Sequence, residues 1–174
     1  DSVKSRGLGD VYKRQHLVLA PRHPERFDEI KKIANEKNLS NILYTEVSSN
    51  PNLKSDVTIV DVIGRLLDFY QIADCVFIGG TLVDHGGQNF LEPAIFNKPI
   101  ISGRSTYNFD EISKKLSDLG LLKFVSNKDE ISSIVENIEA ISDSQREETN
   151  LWLNENRGAS EFISKKVCKE FNLI

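Results

Sequence analysis

Short apolar runs alternate with amphipathic stretches along most of this 174-residue chain. The runs predict strands near residues 16–20, 41–45, 57–60, 74–78, 99–102 and 121–125, each of buried-strand length and bounded by polar or turn-forming residues. Between them, apolar positions recur at helical spacing: Phe27, Ile30, Ile33 and Ala34 within 25–37, then Leu66, Leu67, Tyr70 and Ala73 within 64–73. Both stripes are expected to be core faces. Beyond Asn127 the period is helical again through Ile131, Ile134, Val135, Ile138 and Ile141. After a polar run, a last amphipathic stretch carries Phe162, Ile163, Val167 and Phe171. This alternation predicts the α/β class, a Rossmann-like parallel sheet with helices on both faces, in one domain over residues 16–174.

Residues 1–15, DSVKSRGLGDVYKRQ, have no apolar period. They resemble a translated sequencing-adaptor tail and are set aside from the fold on that ground, the other reading being a natural basic loop entering the first strand. The chain holds 22 Lys+Arg against 26 Asp+Glu, and the tail is the more basic part, so the remainder is acidic. That balance argues against a nucleic-acid partner. Cys75 and Cys168 lack metal-type spacing; Cys75 is expected to be a small buried residue of its strand, and Cys168 lies on the terminal helix. No segment has the apolar length of a membrane span, and no signal peptide is visible, so the chain is expected to be soluble.

The densest chemistry lies in IGGTLVDHGGQNFLEPAIFNKP, residues 78–99. It reads as the end of a buried strand, a turn rich in glycine (Gly79, Gly80, Gly86, Gly87) and a helix from about Gln88 to Asn97. The glycines let backbone approach a ligand, and the helix start presents free N–H groups to an anion. The spacing matches neither the dinucleotide fingerprint nor the P-loop, so the turn alone fits simple tight packing equally well. Upstream, the run at 16–20 leads into PRHPERF, residues 21–27; downstream, NKPIISG, residues 97–103, is followed by YNF, residues 107–109.

Together, PRHPERF, FIGG-T-L, HGGQNFLEP and NKPIISG followed by YNF resemble the C-terminal half of the 3-deoxy-D-manno-octulosonic acid (Kdo) transferases, from about residue 16 onward and most densely over 21–109. The resemblance implies the C-terminal half of a GT-B glycosyltransferase, which holds the donor CMP-Kdo. It implies a parent enzyme on the cytoplasmic face of the bacterial inner membrane, transferring Kdo to a lipid A precursor in lipopolysaccharide core biosynthesis. The catalytic carboxylate base, the acceptor site and any membrane association belong to the other half, so this fragment is expected to be soluble and inactive alone. No cofactor or metal is implied, and no Asp-x-Asp motif is present.

Family positions that contact CMP map onto Pro21 and Arg22, onto Ile63, Gly64 and Arg65, and onto Asn89 through Glu92, Leu91 included. The implied roles are phosphate or base contact by Arg22, backbone contact with cytosine at Gly64, phosphate or sugar contact by Asn89, and ribose binding by Glu92. Each residue also has a plainer role open to it. Arg22 can pair with Glu25, Glu92 can cap or solvate its helix, and His23 and His85 can serve loop hydrogen bonds or phosphate contact. Asp84 can neutralise His85 or solvate the turn. Arg65 stands where many members are acidic, Gln88 where many have His, and Arg104-Ser105-Thr106 replaces a His-containing loop. Because strand ends bind ligands in such sheets, these positions are expected to converge. Two other readings remain: a UDP-sugar transferase or epimerase half-domain, and a non-catalytic nucleotide-binding module.

Overall fold

The computed structural model of the chain describes residues 15–50, 52–157 and 159–171. The segment set aside as a tail lies, but for Gln15, outside the described residues. The class is α/β with parallel sheets flanked by helices, as the pattern predicts. The described strands form two three-stranded sheets, and the chain divides between Phe69 and Tyr70 into two compact units.

In the first unit, β1 (Leu17–Leu19), β2 (Asn41–Leu43) and β3 (Val57–Ile59) pair in the order β1-β3-β2. Leu19 and Leu43 both stand opposite Ile59, so the three carboxyl ends are level. The central strand is the most buried, with Val57, Ile59 and the following Val60 all in the core. A single 3-10 turn, Pro24–Arg26, precedes α1 (Phe27–Glu36), because Pro24 fixes the backbone at the start of a turn. Its predicted stripe is only half submerged: Ala34 is buried, Phe27 and Ile30 are partly covered, and Ile33 is 43% exposed. Strand β2 ends earlier than expected, since a short helix α2 (Tyr44–Ser49) begins directly after it. The Glu46 carboxylate accepts from the Leu43 N–H (2.8 Å), and Asp61 accepts from the Thr45 N–H (3.0 Å) and hydroxyl (2.6 Å). These carboxylates satisfy amides that a helix start leaves unpaired.

At the opposite edge of that sheet, Asp56 accepts from the Ser40 N–H (2.8 Å) and hydroxyl (2.5 Å). These bonds, the hydroxyl's first, hold the carboxyl below its ordinary value of 3.8. A carboxylate depressed in the folded state stabilises it above the unfolded pKa, and the contribution fades as pH falls through the folded value. Asp56→Asn is therefore expected to lower the denaturation midpoint at neutral pH, with the gap to the parent chain closing as pH falls below 3.8. Paired urea melts across that range would measure it.

Helix α3 (Leu66–Ile72) carries the division between the units. Leu67, predicted as core, is 49% exposed.

In the second unit, β4 (Val76–Ile78), β5 (Ile100–Ser102) and β6 (Leu122–Phe124) pair in the order β4-β5-β6, with Ile78, Ser102 and Phe124 level at the carboxyl edge. Among the described residues, α4 (Leu91–Ile95) lies between β4 and β5, α5 (Asp110–Asp118) lies between β5 and β6, and α6 (Lys128–Glu136), α7 (Asp143–Glu155) and α8 (Ala159–Glu170) come after β6. Val76, Ile78, Phe90, Ile100, Leu116, Leu121 and Leu122 make the core, with Trp152 and Phe109 against it. Phe77 alternates to the other face of β4 and is 41% exposed. Cys75 is half-buried, and burial, with Asp74 adding to it, pushes its thiol up. It is protonated at neutral pH and fits a packing role.

The long helical period after Asn127 is broken in two. Helix α6 opens on Asn127, whose side chain accepts from the Asp129 and Glu130 amides, and stops at Glu136. Ile138 and Ile141 fall in the connection, and Ile141 still reaches the core. Ser142 and Gln145 then open α7 by bonding reciprocally across its first turn. On α8, Val167 is 43% exposed, and Phe171 just beyond it is 69% exposed, while the side chains of Phe162 and Ile163 lie outside those described. Among the described residues no helix is long and apolar enough to cross a membrane.

Candidate functional site

Parallel strands send all their exits to one edge, and that edge is where open α/β sheets bind ligands. In the first sheet, Pro21 and Arg22 leave β1, and Ile63, Gly64 and Arg65 follow the adjacent β3. Arg22 is exposed and makes no hydrogen bond or ion pair among the described residues. Glu25 faces His23 instead (3.6 Å), so the plainer pairing with Arg22 is not formed. Ile63 is fully exposed, and Gly64, at φ +83°, has nothing within 4 Å of the place a Cβ would take. Backbone and an apolar side chain are thus presented together at an open edge. Arg65 is otherwise engaged: its Nε meets Asp68 Oδ2 at 2.8 Å, and its Nη2 donates to the Tyr44 hydroxyl at 3.4 Å. Tyr44 in turn packs edge-on against Phe69. The guanidinium braces its own loop, and the Arg65 carbonyl accepts from the Asp68 N–H at 3.1 Å.

At the second sheet's edge, Thr81 is the organiser, although nothing in the sequence reading gave it a task. Its buried hydroxyl donates to the Ile78 carbonyl (2.7 Å) and accepts from the Gly103 N–H (2.7 Å), while its carbonyl accepts from the Ser105 N–H (3.0 Å). Ser105 Oγ accepts from the His85 and Gly86 amides at 3.2 and 3.1 Å. The exits of β4 and β5 are therefore stitched into one surface.

Two expectations for this stretch change. The glycines here do not mainly clear a path for a ligand. A Cβ on Gly86 would strike Tyr107 and Asn108, and one on Gly87 would meet Thr81 Cγ2 at 2.8 Å. The glycine turn and the YNF segment are each other's packing partners. Gly79 alone of the four faces open space. Nor does the helix begin at Gln88; it runs only over α4, because Phe90 is drawn wholly into the core and packs edge-on against Phe109. Asn89 Oδ1 already accepts from the first helical amide, Leu91 N–H, at 3.0 Å.

Asn89, Leu91 and Glu92 are brought together directly. Asn89 Nδ2 donates to Glu92 Oε1 (3.1 Å), holding the half-buried carboxylate in place, with Oε2 unengaged among the described residues. Tyr70 lies near enough for the Glu92 charge to act on it; burial first, and that charge second, push its hydroxyl up to about 12. A neutral phenol beside a fixed carboxylate suits a sugar diol, which donates to one and bonds either way with the other. Among the described residues the side chain of His23 faces the exposed Glu25, and His85 engages Ser105 through its backbone.

No protein-family model matches the chain. It is 36% identical over 158 residues to a 3-deoxy-D-manno-octulosonic acid transferase of Haemophilus influenzae, covering 88% of this chain and 37% of that protein. Its fold matches the crystal structure of the C-terminal CMP-Kdo binding domain of WaaA from Acinetobacter baumannii, with a TM-score of 0.63 and 28% identity over 73% of this chain and 65% of that one. This chain belongs to the Kdo transferase family. It matches the C-terminal part of those enzymes. It is also 36% identical over 169 residues to a bifunctional glycosyltransferase/methyltransferase of Fusobacterium nucleatum, covering 95% of this chain and 26% of that protein. The chain thus spans between about a quarter and two fifths of the length of these two relatives.

Proposed function

We propose that residues 16–174 are the donor-binding domain of a GT-B Kdo transferase, holding CMP-Kdo while Kdo passes to a lipid A precursor on the cytoplasmic face of the inner membrane. The observation that carries this reading is the likeness, in sequence and fold together, to a domain named for CMP-Kdo binding. The strand exits of each unit, taken separately, support it. Arg22 is a free guanidinium for the single phosphate, Gly64 an open backbone for the cytosine edge, and Glu92 a positioned acceptor for ribose hydroxyls. Pro21 fixes the backbone beside Arg22, Ile63 offers an apolar face to the base, the backbone of Arg65 continues that wall, and Asn89 and Leu91 set the Glu92 carboxylate. In this reading Arg22 carries the charge that builds on the departing CMP, an electrostatic role. The base that activates the acceptor hydroxyl is assigned to the other half of the transferase, so the 174-residue chain alone binds donor without turning it over.

Nucleobase choice tests the reading. Cytosine's exocyclic amine donates where uracil has only a carbonyl, and a buried acceptor left unpaired costs about 1–3 kcal/mol. Calorimetry is expected to show CMP binding about tenfold or more tighter than UMP. Equal affinities would favour a UDP-sugar enzyme, and no binding of either would remove the nucleotide site.

A further inference from the structure

Within the connection from β3 to α3, Ile63 is fully exposed and no atom lies within 4 Å of the place a Gly64 Cβ would take. A loop this open would ordinarily sample many conformations. This one is tied at both ends to α2. At its start, the Asp61 carboxylate accepts from Thr45 twice, Oδ1 from the amide at 3.0 Å and Oδ2 from the hydroxyl at 2.6 Å. At its end, Arg65 Nε meets Asp68 Oδ2 at 2.8 Å while Nη2 donates to the Tyr44 hydroxyl at 3.4 Å. Tyr44 is itself set by its edge-on contact with Phe69, with 5.1 Å between ring centroids. Just before the loop, Val60 is buried and its amide donates to the Leu19 carbonyl at 2.8 Å. Two adjacent residues of α2 therefore grip a segment whose middle stays bare, and every residue involved belongs to the first unit.

We propose that Tyr44 and Thr45 are positioning residues for base recognition: by gripping the 61–65 loop at both ends, they hold the Gly64 backbone where it can tell cytosine from uracil. The inference rests on the reading of this loop as the one that meets the cytosine edge. The two bases share a ring outline and differ there in an amine donor against a carbonyl acceptor. Apolar contact with Ile63 serves both alike. A hydrogen bond weakens steeply once its length or angle drifts, so a loosened loop keeps the apolar contact and gives up the discrimination. A grip formed before the ligand arrives also removes the cost of ordering the loop on binding.

The test measures CMP and UMP, which differ only in the base, by calorimetry on the 174-residue chain and on Thr45→Val, Thr45→Ser and Tyr44→Phe. Tyr44→Phe keeps the ring against Phe69 and removes only the hydroxyl that Arg65 meets. It and Thr45→Val are expected to cut the parent's preference for CMP by about threefold or more, within the range of one hydrogen bond. Thr45→Ser, which keeps a hydroxyl for Asp61, is expected to retain the preference. The ratio decides, because a partly unfolded variant loses affinity for both nucleotides in the same proportion. Unchanged ratios in Thr45→Val and Tyr44→Phe, or an equal fall in Thr45→Ser and Thr45→Val, would overturn the positioning role while the base site stands. A parent chain that binds both nucleotides equally, or neither, fails the cytosine reading itself and takes this inference with it.

Discussion

Gly103→Ala is expected to destabilise the chain by about 3 kcal/mol or more, the upper end for forcing atoms into a filled space. A Cβ there would collide with the Thr81 carbonyl and come within 2.6 Å of the Leu82 nitrogen. Both are backbone, so no side chain can swing aside. The loop cannot retreat easily either, since Thr81 is bonded to Ile78, Gly103 and Ser105. Gly64→Ala makes the contrast. Its space is open, and only the backbone at φ +83° resists, a cost of about 1–2 kcal/mol. Denaturant melts followed by circular dichroism should rank the two, and the fluorescence of Trp152, packed on the second unit's core, should follow the Gly103 variant. A Gly103→Ala chain no less stable than Gly64→Ala would refute the proposed loop contact.

That contrast shows why some of the site could be read from the sequence and some could not. Strand positions were legible because a run such as Val57–Ile59 has one physical solution, burial in a sheet. The Arg22 exit was legible because prolines on either side of an Arg-His pair mark a constrained turn. The glycines in HGG were not, because a glycine that clears a ligand's path and one that clears Tyr107 look alike until the neighbouring strand's exit is placed. The start of α4 was misplaced for a related reason. Phe90 continues the local helical pattern, yet the core claims it, and Asn89 then turns its side chain inward to cap the shorter helix. Tyr44 likewise extends the apolar run of β2, while its helix depends on Asp61, sixteen residues away from Thr45. Exposed Leu67 and Phe77 show the limit of counting apolar residues: in two small three-stranded sheets, a stripe can be only partly covered.

Glu92 and Arg22 have different proposed tasks and are expected to fail differently. Glu92→Gln keeps an oxygen for Asn89 to bond, so the local scaffold survives while the charge is lost. If the carboxylate accepts from ribose hydroxyls, CMP and cytidine should weaken together, by about 1.5–3 kcal/mol for a charge-assisted bond. Arg22 is exposed and has no partner among the described residues, so Arg22→Ala should leave the fold and cytidine binding nearly unchanged. CMP alone should weaken, and the difference between variant and parent should shrink at high salt, because an exposed guanidinium–phosphate attraction is screened. Circular dichroism on each variant separates a lost contact with the ligand from a lost loop. Equal losses of CMP and cytidine in Arg22→Ala would move Arg22 from the phosphate to the base, where its plane would stack and salt would matter little.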